Sequence, residues 1–331
     1  MPPPVPHRAA ETDLSDAADP WIFAGGAVRA VPHGALIAEC VALPARPTLL
    51  LHATGTGSLR WLTLHGDSET GITAEVGTAG ASATLTAAWP AEGAARGGVA
   101  LSWDGARVAL AAVPGGVARL RPPGAEAALA LGLDAASTAV LTGAVAGLWT
   151  HPAVAWTALY AAPFRPLPAA LLAPATPVDT PAGPRPAGVL RRGDGVLTLD
   201  GPATVVAVTP RRLPMCGTLA PVRLRAGYCP IAVDIVTGPR QAVLVDGFGV
   251  EDATGRDEIL LRAADLAETR LAARVEGPGT TAMLSLAVDR PALIRAGGMA
   301  FAAAGPLPAP PATPAEAAAI LRHYRHRAVT R

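Results

Sequence analysis

The chain has 331 residues, half of them hydrophobic and 16% charged, with a formal net charge of +1. It holds no Lys and no Asn, which removes Walker-type and Schiff-base lysine chemistry and N-linked glycosylation. Long apolar stretches are interrupted by Pro or charge, so no membrane span is expected, and the near-neutral balance lacks the dense basic patch of a nucleic-acid binder.

A length of this size suggests two domains, each able to bury a core. Residues 1–20 are proline-rich and acidic, without the apolar region of a secretory signal. They read as an extended N-terminal arm. The expectation is cytoplasmic synthesis, with release or assembly into an extracellular particle left open.

Residues 21–165 read as short strands separated by Gly and Pro turns. Thr48–His52 and Leu59–His65 flank the loop Thr54-Gly55-Thr56-Gly57-Ser58. That loop superficially resembles a phosphate loop, but it leads into a strand and lacks the helix N-terminus an anion would need. In the second strand Trp61, Thr63 and His65 share one face, with Leu62 and Leu64 on the other. His52 and His65 are placed to face each other across this hairpin. Val99–Trp103 and Arg107–Val113 flank Asp104-Gly105, a tight-hairpin signal because both turn residues accept positive φ. Short strands without intervening helices predict a β-sandwich.

The stretch Leu101-Ser102-Trp103-Asp104-Gly105 with its returning strand resembles the hydrophobic-Trp-Asp-Gly hairpin of laminin-G/concanavalin-like sandwiches. The resemblance implies glycan binding, in some members through calcium. With no Asn and no Asp cluster, neither a metal nor any other cofactor is expected here. Trp149, Trp156, Trp61 and Trp103 are the candidates to stack on a sugar ring, core packing being the other use of a large aromatic.

Residues 163–186 contain eight prolines and read as a linker or irregular entry strands. Beyond them Val196–Leu199 and Thr204–Val208 flank Asp200-Gly201, and Ala242–Val245 and Phe248–Val250 flank Asp246-Gly247. A second Pro-rich stretch leads to Thr313-Pro314-Ala315-Glu316, a capping box with Pro at the first helical position. The helix it starts is predicted to end near Arg327. Its Ile320, Leu321 and Tyr324 form one apolar stripe expected to dock on this chain. The organisation is therefore an arm (1–20), a sandwich (21–165), a second β-rich domain (166–304) and a Pro-rich linker with a C-terminal helix (305–331).

Cys40, Cys216 and Cys229 form no CxxC; buried thiols are expected, with a Cys216–Cys229 bridge as the alternative. The seven histidines include no HxH or HExxH spacing. His323 and His326 stand i, i+3 at the helix end, where solvation competes with metal chelation.

The run from Leu171 to Gly183 is similar to the pattern C-F-x-x-G-T-x-I-x-T-x-x-G that opens the bacterial Hint (hedgehog/intein-type) domain. Thr176, Val178, Thr180 and Gly183 keep its frame. Leu190-Arg191-Arg192-Gly193-Asp194-Gly195-Val196-Leu197-Thr198 meets L-x-x-G-D-x-V-x-T, and Pro221-Val222-Arg223-Leu224-Arg225-Ala226-Gly227 resembles P-V-R-I-R-A-G. Gly238-Pro239-Arg240-Gln241-Ala242-Val243-Leu244-Val245-Asp246-Gly247 resembles S-P-Q-H-R-V-L-L-D-G. Leu284 to Pro291 resembles V-H-V-E-L-D-R-H.

The resemblance implies self-processing through a thiol at the first position and a histidine that activates the scissile amide. Here those positions hold Leu171, Gly238, Gln241 and Ser285. Leucine offers no nucleophile, and glutamine carries no proton near neutral pH. The expected fold is all-β: an N-terminal antiparallel, jelly-roll-like β-sandwich, a compact Hint-like domain and a short C-terminal helix.

The expected function is non-enzymatic recognition of a glycan or protein surface. The alternatives are a structural subunit of a phage-like particle or surface assembly, as a homo-oligomer or larger complex, and a residual self-processing protein using Cys216 or Cys229.

Overall fold

The computed structural model describes residues 19–67, 69–89, 96–120, 124–163, 165, 167–227, 231–267 and 269–326. The arm at 1–18, Cys229 and Arg327 lie outside these.

Two antiparallel sheets form in the N-terminal half. One orders its strands Trp21–Ile22, Val154–Tyr160, Gly34–Cys40, Gly97–Trp103, Arg107–Pro114, Ala125–Ala128. The other runs Leu148–Thr150, Thr48–Thr54, Trp61–Asp67, Gly71–Gly77, Ser82–Ala87. The chain crosses between the sheets, and inward residues such as Leu36, Leu51, Leu62, Ile72, Leu101 and Leu110 form one core between them. Alternation along Trp61–Asp67 does the sorting, with Leu62 and Leu64 buried and Trp61, Thr63 and His65 half-buried outside. The period-2 reading of this strand holds.

The Asp104-Gly105 hairpin forms, but with only Gly105 at positive φ: the turn closes from Asp104 N to Arg107 O at 3.2 Å. The Asp104 carboxylate accepts from the backbone N–H of Ala106 (3.0 Å) and Arg107 (2.9 Å), while Gly105 takes φ +91°. The sandwich also holds one helix the strand reading did not provide, α1 (Ala135–Leu141). Its N-cap Asp134 accepts from Ser137 N at 2.8 Å.

Asp134 also resolves the Thr54–Ser58 loop. Its second carboxylate oxygen accepts from Ser58 N at 2.9 Å, and a Cβ on Gly57 would lie 2.3 Å from the same carboxylate. The anion this loop holds is the chain's own side chain.

Strand Gly34–Cys40 is buried at every position. Leu36, Ala38 and Cys40 belong to the sandwich core, while Ala35 and Ile37 join Trp21, Val117, Leu171, Leu213, Leu219 and Met283 in a second apolar cluster. That cluster joins the two halves of the chain. Hydrogen bonds reinforce it: Trp21 Nε1 donates to Arg212 O (3.2 Å), and Thr280 Oγ1 donates to the Asp19 carboxylate.

In the C-terminal half, Gly201–Pro214 and Thr280–Val288 form a long antiparallel pair at one edge of a large sheet, which continues through Gly195–Thr198, Leu293–Ala296, Met299–Ala302, Ala242–Asp246 and Glu258–Arg262. A smaller sheet orders Ile235–Thr237, Val222–Leu224 and Ala272–Arg274. Phe301, Val243, Leu261 and Ile294 anchor the core.

The strand expected at Phe248–Val250 is instead helix α2 (Phe248–Thr254). Gly247 at φ +100° turns the chain out of the ladder, and Gly255 closes the helix in the left-handed conformation at φ +67°. Gly at such a C-cap is a strong stop signal. It outweighed the short apolar run that suggested a strand. The true partner of Ala242–Asp246 is Glu258–Arg262, reached after the helix.

A four-residue helix, α3 (Ala263–Leu266), follows that strand. Helix α4 (Pro314–His326) starts at the expected capping box: Thr313 N donates to Glu316 Oε2 (2.8 Å), and Glu316 N donates to Thr313 Oγ1 (3.3 Å). Ala317, Ile320 and Leu321 pack into the C-terminal core, so that part of the expected stripe docks on this chain; the side chains of His323, Tyr324 and His326 lie outside the described residues.

Candidate functional site

Leu172 sits between two strands. It exchanges backbone hydrogen bonds with Leu284 (2.9 and 2.8 Å), and its neighbours bond the other side through Ala173 N to Val236 O (2.9 Å) and Gly238 N to Leu171 O (2.8 Å). This clamps the start of the segment in extended form, its first peptide held deep in the structure. Leu171 is 1% exposed and belongs to the apolar cluster between the two halves.

Gln241 is fully buried and meets that first peptide. Its Oε1 accepts from Leu171 N at 2.7 Å, and its Nε2 donates to Ala302 O (2.9 Å) and Ala242 O (3.0 Å). The carboxamide orientation is forced, since the only donor present is an amide N–H and the other two partners are carbonyls. One side chain therefore ties position 171 to position 302.

Gly238 completes the group. A Cβ there would lie 2.8 Å from Leu171 Cβ and 3.1 Å from its Cδ1. Contacts under 3 Å between carbons force a displacement, so the bulk at 171 and the missing side chain at 238 are sterically complementary. Ser285 stands apart. It lies next to Leu284 in the strand but pairs with Thr209, and among the described residues it makes no hydrogen bond to Leu171 or Gln241. The structure thus brings Leu171, Gly238 and Gln241 together, and leaves Ser285 beside them.

The two described cysteines are Cys40 and Cys216. Both are free thiols. Burial, helped by the neighbouring Glu39 charge, pushes Cys40 up to about 11. Burial, with Glu39 and Glu276, pushes Cys216 up to about 12. A thiol so shifted holds almost no thiolate at neutral pH. The alternative Cys216–Cys229 bridge is not formed at Cys216.

The tryptophans separate into three situations. Trp103 is 3% exposed and donates from Nε1 to Val31 O at 2.9 Å. It is a core residue, so the expectation that it could stack on a ligand is corrected. Trp156 packs between the halves, its indole nitrogen 2.4 Å from where a Gly217 Cβ would sit and without a hydrogen-bond partner.

Trp149 and Trp61 share the outer face of the five-stranded sheet. The register runs Trp149, His52, Thr63, Glu75, Thr84 across that face, with Trp61 and His65 two residues either side of Thr63. Trp149 is 46% exposed. His52 and His65 do not oppose each other as expected; they pair with Thr63 and Leu49, a bulge intervening between Leu49 and Leu51. The face is a broad strip of two indoles, two imidazoles and threonine hydroxyls.

A buried carboxylate between the two halves carried no signal in the sequence. Glu39 is 0% exposed and accepts from Thr218 N (3.0 Å), Thr218 Oγ1 (2.5 Å) and Arg96 Nη1 (3.0 Å). Thr218 Oγ1 in turn accepts from Ala118 N at 3.2 Å. Gly217, at φ +54°, lets this turn approach; a Cβ there would stand 2.5 Å from Glu39 Oε1.

Among the described residues, no group of three or more His, Cys, Asp or Glu side chains is placed to hold a metal ion, and no helix is long and apolar enough to cross a membrane.

Residues 171–304 match the profile of the Hint domain family, so the C-terminal half carries a Hint-type domain. Among solved structures, the MchDnaB-1 intein is 21% identical, with 98% of its chain and 40% of this one covered at a TM-score of 0.27. A variant of that intein is 19% identical, with 99% and 40% covered at a TM-score of 0.25. No curated protein matches the chain.

Proposed function

We propose that this chain is a non-enzymatic recognition protein, in which the Hint-type domain at residues 171–304 is a scaffold and the N-terminal sandwich offers the binding face. One observation carries the first half. An aliphatic side chain occupies the position where self-processing needs a nucleophile, and the adjacent amide N–H is held by a neutral carboxamide (Leu171 N to Gln241 Oε1, 2.7 Å). Acyl transfer from nitrogen requires a nucleophilic heteroatom and a proton donor to the leaving amine. Gln241 accepts from that nitrogen and spends both its N–H groups on carbonyls. The group is built to keep the peptide rather than to break it.

The second half rests on the outer face of the five-stranded sheet. Exposed indole beside hydroxyl and imidazole groups is the composition that stacks on and hydrogen-bonds a sugar ring, or that anchors a protein contact. The expected ligand is a glycan, bound across Trp149 and His52. The laminin-G-like reading of the Trp103 hairpin agrees with this, although Trp103 itself serves the core.

Two measurements test the proposal. Intact mass spectrometry of the full chain, held for a day with and without a thiol nucleophile, is expected to return one species near 33.3 kDa. Thiol-dependent fragments breaking near residue 171 would make the protein self-processing. A glycan array combined with size exclusion is expected to give a monomer with specific sugar binding, weakened about tenfold or more by Trp149→Ala, since base-type stacking on an aromatic ring is worth at least that much. A sugar-blind oligomer would overturn the glycan reading in favour of a structural subunit of a particle or surface assembly.

A further inference from the structure

Between the two halves lies an open cavity of about 710 Å³, walled on one side by the sandwich turn around Gly115–Arg119 and on the other by the Hint-type domain. Four arginines line it: Arg119 from the sandwich, and Arg240, Arg262 and Arg274 from the C-terminal half. Asp265 is the one carboxylate in the wall. Among the described lining residues the arginines outnumber the carboxylates. It adjoins the Leu171–Gln241 group through Pro239 and Arg240 and is distinct from the Trp149 face.

The placement of these arginines is unusual for a solvated surface. Arg240, Arg262 and Arg274 are half-buried. Arg240 donates to Leu167 O (3.1 Å) and Arg274 to Gly217 O (3.4 Å), contacts that hold their side chains across the cavity wall. Among the described residues, neither Arg119, Arg262 nor Arg274 makes an ion pair within 4 Å. Burial raises the Asp265 carboxyl above the usual range, outweighing the favourable charge of Arg262, the Arg262 backbone N–H and the charges of Arg119 and Arg274. Among the described residues, one partly buried carboxylate faces Arg119, Arg262 and Arg274, none of which forms an ion pair, in a shared and partly desolvated space.

We infer that this interdomain cavity is a binding site for a small multivalent oxyanion, such as a phosphate or sulfate ester on a sugar-sized scaffold. The size agrees, because small-molecule sites span roughly 300–1,000 Å³. So does the residue type: a guanidinium presents its donors as a planar fork that matches oxyanion geometry, where a lysine offers only a point charge. Arg119 from one side of the cavity and Arg262 and Arg274 from the other would clamp one anion and fasten the two halves to each other through it. Thr218, in the same wall, leaves the site its buried hydroxyl but already spends it on Glu39.

Isothermal titration of the full chain with inorganic pyrophosphate tests this at low salt. The expected result is saturable binding at one site per chain, weakening as salt is raised. Arg262→Ala and Arg274→Ala are each expected to reduce affinity about tenfold or more, the worth of one charge-assisted contact. Arg119→Gln tests the sandwich side in case either substitution unfolds the protein, which a melting curve reports. Arg211→Ala, on a strand outside the cavity, should leave binding unchanged. Tighter binding of a sulfated disaccharide than of pyrophosphate identifies a sulfated sugar as the ligand type; the reverse order identifies a phosphate ester. Absence of binding by both anions, or binding indifferent to all three cavity substitutions, overturns the inference. Failure of the glycan array would not touch it, since the Trp149 face contributes nothing to this cavity.

Discussion

Replacing Glu39 by Ala is expected to destabilise the intact chain by about 3–5 kcal/mol, lowering its melting temperature by roughly 5–15 °C. Glu39 is the hub of a polar cluster sealed between two apolar surfaces. Its removal leaves the Thr218 N–H and hydroxyl, already close to Ala118 N, facing a void. Arg96 loses little, because its side chain is 46% exposed and water replaces the carboxylate. The cost falls on the buried donors, and buried donors without acceptors are the expensive kind. Glu39→Gln keeps the shape and one acceptor oxygen, so it should lose distinctly less. Differential scanning calorimetry of the three proteins decides the matter; a shift under about 2 °C for the alanine variant would mean that the apolar cluster alone holds the halves together.

Gln241→Leu is expected to cost about 2–4 kcal/mol, although leucine has nearly the same volume and the site is fully enclosed. The loss is polar rather than steric. Leu171 N and Ala302 O each forfeit a partner in a place water does not reach. Because these two groups stand at opposite ends of the Hint-type domain, the substitution should also loosen both ends, visible as faster amide hydrogen exchange at Leu171 while the core around Val196 stays protected. Urea denaturation gives the free energy. A change within about 0.5 kcal/mol would show that the glutamine is ornamental and would remove the main support for a structural role at this site.

How much of this was readable from the chain depended on how local each cause was. Hairpins at Asp104-Gly105 and helix α4 follow from residues within four positions of each other, a turn and a capping box, and both form. Helices α1 and α2 have seven residues each, too short for a periodicity to emerge. Their signals were caps, Asp134 ahead of Ser137 and Gly255 behind Thr254, and the apolar run around Phe248 drew attention away from the second.

The Leu171, Gly238 and Gln241 positions were legible only through family resemblance, and the geometry adds why they change together: leucine needs the space a serine would take. Glu39 was invisible because its acceptor role is completed by Thr218, 179 residues away. The same distance hides the arginine cavity, whose four members are charged residues of unremarkable spacing. The one available hint was the unbroken apolar character of Ala35-Leu36-Ile37-Ala38, the pattern of a strand covered on both faces.

That doubly covered strand limits how the protein can be taken apart. An excised sandwich would present Ala35, Ile37, Ala111 and Val117 to water, with the Glu39 carboxylate in their midst keeping Arg96 but losing Thr218. The Hint-type domain would lose the cover over Leu171, Leu213 and Met283. Each half is the other's missing surface. Cutting the chain between them is therefore expected to expose both apolar surfaces at once.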